Sequence, residues 1–506
     1  MKKIITTSII TLLFTLDSFS QRVYEEQAFK IGIESVKNFR DFLLLKNDAN
    51  YKTEMEPLIN WGINNFQEYG FKVERLETPE LPLLLASKII SKNVRTLLIY
   101  LQFDGQPVDN SKWNQEDPYK AVLKENINGD YSVINWNSLN NLSLKEIKDR
   151  DIRIFARSAS DAKGPVMMIL NALEIMKRNN LNPKYNVKII MDFEEEISSP
   201  NLASAVKKYS SKLKSDALLI FDGPKHPSNL PTLTFGARGI SDITLTTYGP
   251  IVPQHSGHFG NYAPNPVFRM SEILSSMKDE NGRVTIEGFY DGVEINEETK
   301  RILSEVPDDE IAMRDKMEFK TPDNVGENYQ ESIQYPSLNV RGIESGWVRE
   351  EVRTIVPSEC VAEIDVRLVL ESNPQRLHNL IKKHIEELGY TILDRSPSKE
   401  ERLKYNKIVT FKSSFDYDAF RTDINSDIGK WLVKSLTETF NVSPVKKRTS
   451  GGSVPISPFV KTLGIPAVTV PTVNQDNNQH SPNENIKIEN YISGIETYLG
   501  ILIDKF

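Results

Sequence analysis

Cysteine is almost missing from this chain: a single one, Cys360, stands in 506 residues. A lone thiol can neither close an internal disulfide nor build a thiolate metal site, so stability must come from core packing. It lies in the strand-like run Cys360-Val-Ala-Glu-Ile-Asp-Val-Arg367, where a small buried apolar side chain fits better than a nucleophile. A basic excess is missing too. Lysine and arginine number 62 against 69 aspartates and glutamates, a net charge of −7, which argues against nucleic acid as a partner. Long apolar runs are also lacking, since Ile4 to Leu16 is too short to cross a bilayer. Preceded by Met1-Lys2-Lys3 and followed by the small residues Ser18 and Ser20, that run reads as a secretory signal peptide over residues 1–20. The mature chain, from Gln21, is expected to be exported to the periplasm or the medium and to have no membrane partner.

What is present is the composition of a soluble globular protein, 39% hydrophobic and 26% charged, in a chain long enough for two or more domains. Residues 24–46 and 54–69 carry apolar positions at helical spacing, and strands and helices then alternate. Thr96–Leu101, Val187–Met191 and Ala217–Phe221 are apolar runs of buried-strand length. Between the first two, Pro165 to Arg178 reads as a helix with proline in its first turn. This alternation predicts an α/β domain with a mostly parallel sheet and helices on both faces. Near Gly239 the texture changes to half-exposed strands and two helices, a βαββαβ-like set ending near Lys407–Phe411. The expected layout is a catalytic domain of residues 21–239 and 416–506, interrupted by an inserted α+β domain over 240–415. Residues 105–150 read as a long polar connection with few structural signals.

Acidic residues recur where the apolar strands end. Asp104 follows 96–101, Glu194, Glu195 and Glu196 follow 187–191, and Asp222 follows 217–221. Asp161 stands just before a helix, and His480 follows the strand Ala467–Pro471. In open α/β sheets the ligand crevice lies outside the carboxyl ends of the strands, so these groups converge there. That many carboxylates in one crevice repel one another unless a cation neutralises them. Oxygen donors with one imidazole suit zinc or a neighbouring divalent metal, and Asp161 can bridge two ions about 3.5–4 Å apart. Adjacent Glu195 and Glu196 diverge on an extended backbone, so one can hold metal while the other takes a proton from water.

This ordered set resembles the co-catalytic zinc peptidases of the carnosinase, bacterial dipeptidase, glutamate carboxypeptidase and acetylornithine deacetylase superfamily. It lies nearest the carnosinase-like dipeptidase branch, because Asp104-Gly-Gln-Pro-Val108 leads to Trp113 and Asp117-Pro118. Other stretches that look like family signatures are Ser158-Ala-Ser-Asp-Ala-Lys-Gly-Pro165, Glu195-Glu-Ile-Ser-Ser-Pro200, Gly236-Ala-Arg-Gly239, His255-Ser-Gly-His-Phe-Gly260, Ser450-Gly-Gly-Ser453 and His480-Ser-Pro-Asn-Glu484. The resemblance implies two zinc ions bridged by Asp161, with Glu196 and His480 completing one site and Asp222 belonging to the other. It implies Glu195 as the general base, and Asp104 as the residue orienting the ligand two positions before it. His255 is implied at the oxyanion, and Thr354, Arg367 and Ser453 around the substrate's carboxylate. The inserted domain of relatives is a lid and commonly a dimerisation surface, which implies a homodimer.

Where most relatives carry a ligand histidine two positions before Asp104, this chain has Gln102. An amide oxygen is a weaker zinc ligand than imidazole, so the second site is expected to be looser or to take another divalent metal. Ala156, Ser158 and Ser198 stand where glycines are usual. The leading expectation is a metallopeptidase of dipeptidase or carboxypeptidase type, acting on short peptides. The alternatives are an amidohydrolase deacylating N-acyl amino acids, and a non-catalytic peptide-binding protein disabled at Gln102.

Overall fold

The computed structural model describes residues 24–452 and 454–506, so the signal peptide expected over 1–20, and Ser453, lie outside the described residues. The chain divides into two compact units. One comprises the described residues through Phe235 with Thr422–Lys447 and Pro458–Phe506; the other is Gly236–Arg421 with Arg448–Ser457. The contacts thus divide the chain at 235/236 and 421/422, where the sequence placed the boundaries at 239/240 and 415/416. No helix among the described residues is long and apolar enough to cross a membrane.

Unit 1 is built on an eight-stranded sheet. In chain order its early strands are β1 (Lys72–Leu76), β2 (Leu83–Lys88) and β3 (Thr96–Gln102). The short strands β4 (Val122–Ile127), β5 (Asp130–Val133) and β6 (Arg153–Phe155) belong to a second sheet. The main sheet resumes with β7 (Asn186–Asp192), β8 (Ala217–Ile220) and β9 (Thr232–Thr234). Its spatial order is β1-β2-β7-β3-β8, then Ala467–Thr469, β9 and Val445–Lys447. β3 runs parallel to both β7 and β8, and β8 parallel to Ala467–Thr469, so the centre of the sheet is parallel. β3 is buried from Leu97 to Gln102, as both-face coverage demands of a parallel strand.

The helix Lys163–Arg178 is buried through its first turns and packs along the C-terminal helix Ile488–Ile503. Gly494 permits that approach, since a Cβ there would stand 2.2 Å from the Met168 sulfur. Lys163 itself is fully buried. Its ammonium donates to the carbonyls of Phe42 at 3.2 Å, Leu43 at 3.4 Å and Leu45, at the C-terminal end of the helix over 24–43. A cation belongs at that negative end, and burial draws the amine down to about 7.

The polar connection 105–150 is more structured than its composition suggests. β4 and β5 form a two-residue hairpin whose turn, Asn128-Gly129, has φ of 55° and 98°. Asn-Gly favours such a turn because both residues must take positive φ. The helix Leu144–Asp149 opens on a capping box of Ser143 and Glu146. The signals were turn and cap residues, and hydrophobic periodicity does not register them.

Unit 2 is an α+β body. Its sheet runs Ser337–Glu344, Glu359–Leu368, Gly239–Tyr248, Ile408–Tyr417 and Thr391–Leu393, antiparallel apart from the last pairing. Gly239–Tyr248 alternates between buried and half-buried positions, as a sheet covered on one face requires. Helices Pro266–Ser276 and Pro374–Glu387 bring Met270, Ile273, Leu377 and Ile381 to its core, where Cys360 is fully buried.

Back in unit 1, the turn after β3 is closed on all sides. Gly105 donates its N–H to Asn47, and a Cβ at Gly105 would lie 2.1 Å from Ser158 Oγ and 2.8 Å from Asn47 Nδ2. Gly105→Ala is therefore expected to destabilise the fold by about 1–3 kcal/mol, the usual cost of overpacking. Urea denaturation measures it, and an unchanged midpoint would show that the loop yields freely.

Candidate metal centre

Two small strands set the centre's geometry. β6 pairs antiparallel with Asn485–Lys487, Phe155 facing Asn485. The chain leaving β6 towards Asp161 and the chain entering Asn485 from His480 therefore share one end of that sheet. Glu484, fully buried, locks them together. Its carboxylate accepts the N–H groups of Ser158 at 2.8 Å, Ser160 at 2.9 Å and Asp161 at 2.9 Å, and Arg157 Nη1 at 2.8 Å. Its own carbonyl accepts the N–H of Ala156. Ser158 sits at φ 61°, a left-handed conformation that favours glycine, and its Oγ accepts from Asn47 Nδ2 at 2.9 Å.

The second arm comes from β3 and β7. Buried Asp104 accepts the N–H of Glu195 at 3.1 Å and of Glu196 at 2.9 Å, one on each oxygen. That grip fixes the short 3-10 turn Glu195–Ile197, which ends on Ser198 at φ 67°. Below it, Asp192 accepts Tyr100 Oη at 2.9 Å and Ser199 Oγ at 2.6 Å. The serines at 158 and 198 thus keep the backbone that glycine usually supplies.

These arms bring Asp161, Glu196 and His480 together, one donor atom of each lying within 4.8 Å of the others. His480 Nε2 is 3.0 Å from Asp161 and 3.3 Å from Glu196. Gln106 Nε2 donates to Glu196 at 2.7 Å, while the other Glu196 oxygen is buried without a partner. The electrostatics are those of crowded, desolvated acids. Burial and then the neighbouring Asp161 push Glu196 to about 8 and Asp222 to about 7. Burial, followed by Glu196, Asp222, Asp161 and Asp104, pushes Glu195 well above the carboxylate range. The hydrogen bond to Asp161 lifts His480 to about 9, so without a metal this imidazole is the cluster's cation. Carboxylate oxygens and one imidazole, mutually repelling and partly unpartnered, fit a divalent metal ion.

Asp161, Glu196, His480, Asp222, Glu195 and Asp104 thus occupy one neighbourhood. Gln102, at the end of β3, is 1% exposed, and neither its Oε1 nor its Nε2 has a hydrogen-bond partner. The other expected residues that are described, His255, Thr354 and Arg367, belong to unit 2. His255 accepts the N–H of Gly257 at 3.0 Å, and Thr354 lies beside it, its carbonyl accepting the N–H of Ser256. Arg367 stands near the far end of Glu359–Leu368, 3.4 Å from Asp365. About 25 Å of extended strand separates it from Thr354, so the two do not converge within one chain. Glu484, Arg157, Gln106 and Asn47 were not singled out as site residues from the sequence. Glu484 ends the stretch His480-Ser-Pro-Asn-Glu484, but a buried acid and an exposed one are identical in sequence.

A model of peptidase family M20/M25/M40 matches residues 127–504. The Cys-Gly metallodipeptidase of Candida albicans is 28% identical, the match covering 97% of this chain and 96% of that protein. An M20 family metallo-carboxypeptidase from Sulfolobus solfataricus superposes with a TM-score of 0.74 at 28% identity, covering 93% of this chain and 98% of its own. Human carnosine dipeptidase 1 gives a TM-score of 0.73 at 20% identity, covering 96% and 98%.

Replacing Glu484 by alanine leaves Arg157 buried and uncompensated, and is expected to cost about 3–5 kcal/mol. Chemical denaturation with metal titration reads it, and wild-type stability would dismiss the clamp. The crowded acids predict a pH effect as well. Their raised values stabilise the metal-free protein only while they are protonated. That contribution is present below their ordinary 3.8 and 4.5 and is lost as pH rises through about 7 and about 8. A bound cation favours the ionised forms, so the gap in Tm between metal-loaded and metal-free protein should widen across that window. A gap constant with pH would contradict the crowding.

Proposed function

The chain belongs to peptidase family M20/M25/M40 and is a metal-dependent peptidase, and from that premise we propose that it is an exported dipeptidase or carboxypeptidase working with two divalent ions. The observation that carries the reading is the grip of Asp104 on the N–H groups of both Glu195 and Glu196. It sets two adjacent carboxyls to separate tasks on one rigid turn.

Asp161, Glu196 and His480 would hold one ion, which we assign as zinc, and Asp161 with Asp222 would hold the second. Such ions polarise the scissile carbonyl and acidify water. The protein's own part is proton transfer and orientation. Glu195 takes a proton from the attacking water and delivers it to the leaving amine, a role suited to a desolvated carboxyl with raised proton affinity. Asp104 holds that turn still, and Glu484 holds Asp161. His255 at the oxyanion and Thr354, Arg367 and Ser453 on the substrate's carboxylate complete the assignment, on the resemblance alone, with Thr354 and Arg367 then supplied by two copies of the chain.

The similar proteins, a Cys-Gly metallodipeptidase, a carnosine dipeptidase and a metallo-carboxypeptidase, support a short peptide with a free carboxyl end as substrate. A homodimer is supported by the edge strand Ser337–Glu344, where Val340 is 40% and Ile343 57% exposed. Export rests on the N-terminal charge and apolar pattern of residues 1–20.

The mature protein, loaded with zinc or manganese and offered a pool of dipeptides, should release free amino acids detectable by mass spectrometry. Glu195→Gln should lower the rate by about 10²–10⁴-fold, the usual worth of a general base, while leaving metal content unchanged. Absence of turnover with either metal, or full activity in Glu195→Gln, would overturn the proposal.

A further inference from the structure

No protein group accounts for the position of Gln102. A fully buried amide normally finds partners for its oxygen and its NH₂ group, yet here both lack them. Its place in the sheet shows what it faces. The parallel register of β3 and β8 pairs Tyr100 with Ile220, and the N–H of Phe221 still donates to the Tyr100 carbonyl at 3.2 Å. Two residues further along each chain stand Gln102 and Asp222. On the other side Gln102 pairs with Asp192, the last residue of β7, just before the Glu195–Ile197 turn. Asp161 reaches the same strand ends, since it clusters with Glu196 of that turn. An unpartnered amide, two carboxylates and the carboxyl ends of two parallel strands therefore share one corner of the crevice, and imidazole is absent from that set.

We infer that Asp161, Asp222 and Gln102 form an all-oxygen site that has lost most of zinc's advantage and takes a harder divalent cation, of the manganese or magnesium class, wherever that cation is in excess. This rests on the two-metal reading above and deepens it. Carboxylate and carbonyl oxygens suit manganese and magnesium, whereas zinc gains most from imidazole or thiolate. The amide would offer Oε1 to the cation, leaving Nε2 free to donate to a water or a substrate oxygen. His480 remains the sole imidazole of the Asp161–Glu196–His480 cluster, so zinc is retained there. The active protein is thus a mixed-metal enzyme, with one ion firmly held and the other exchanging with the free pool of harder cations.

The test is equilibrium dialysis of the metal-stripped mature protein against buffered, low free Zn²⁺ with free Mn²⁺ in large excess, metal content being read by mass spectrometry and bound Mn²⁺ by electron paramagnetic resonance. The wild type should hold one zinc and one manganese per chain. Gln102→His should hold two zincs. Gln102→Ala, checked for an intact fold by circular dichroism, should keep its zinc and bind manganese about 10–100-fold more weakly, the usual loss when a metal site loses a supporting group. Two zincs in the wild type, or manganese binding equal in all three proteins, overturns the inference while leaving the peptidase reading intact. A wild type that binds no divalent ion, or binds it equally well after His480→Ala, overturns both.

Discussion

A carboxylate stripped of water needs either hydrogen-bond donors or a cation, and unit 1 provides both remedies side by side. Glu484 and Asp104 are as buried as any residue in the chain, yet each is surrounded by backbone N–H groups, with Arg157 added for Glu484. Asp161, Glu196 and Asp222 receive far less from the protein, and Glu196 keeps an oxygen with no partner at all. The satisfied acids are scaffold and the unsatisfied ones are the site. Each satisfied acid binds the backbone that carries an unsatisfied one, so the crowding is imposed by the fold and is not free to relax.

That division explains why the chain spends so much structure on short segments. β6 and Asn485–Lys487 are three residues each, too short to stabilise a sheet by themselves. Their pairing makes the Asp161 and His480 loops leave from one end, and Glu484 then ties the loops to each other. On the other side of the crevice the parallel strands β3, β7 and β8 deliver Gln102, Glu195, Glu196 and Asp222 at their carboxyl ends, as doubly wound sheets do. Lys163 adds a further tie, joining the start of the helix after Asp161 to the end of the helix over 24–43.

Unit 2 follows simpler rules. Its strands alternate, its two long helices begin on Asn-Pro caps, and its core is a single apolar layer that includes Cys360. This is why the order of its main strands and its two long helices was readable from the sequence, whereas the helices Glu297–Ser304 and Glu310–Met317, in a polar stretch, were not. The separation of Thr354 from Arg367 was not, because a spacing of thirteen residues says nothing about distance until the intervening backbone is known to be extended.

The sequence by itself determined the α/β character of unit 1, the inserted α+β segment, and the family to which the chain belongs. Apolar runs of about four to seven residues bounded by turn residues read as buried strands, and a set of motifs in fixed order survives the loss of every distance. It also determined which acids are candidates, since they stand at strand ends. Only the tertiary structure decided which carboxylates are satisfied and which are bare, because hydrogen-bond partnership joins residues hundreds of positions apart, as Glu484 joins Ser158. It decided likewise that the connection 105–150 folds, through turn and cap residues with no hydrophobic period to announce them. And it decided that Gln102, which the sequence shows only as the residue in place of a ligand histidine, is sealed from water with both its polar atoms idle, since burial belongs to the packed fold and to no residue alone.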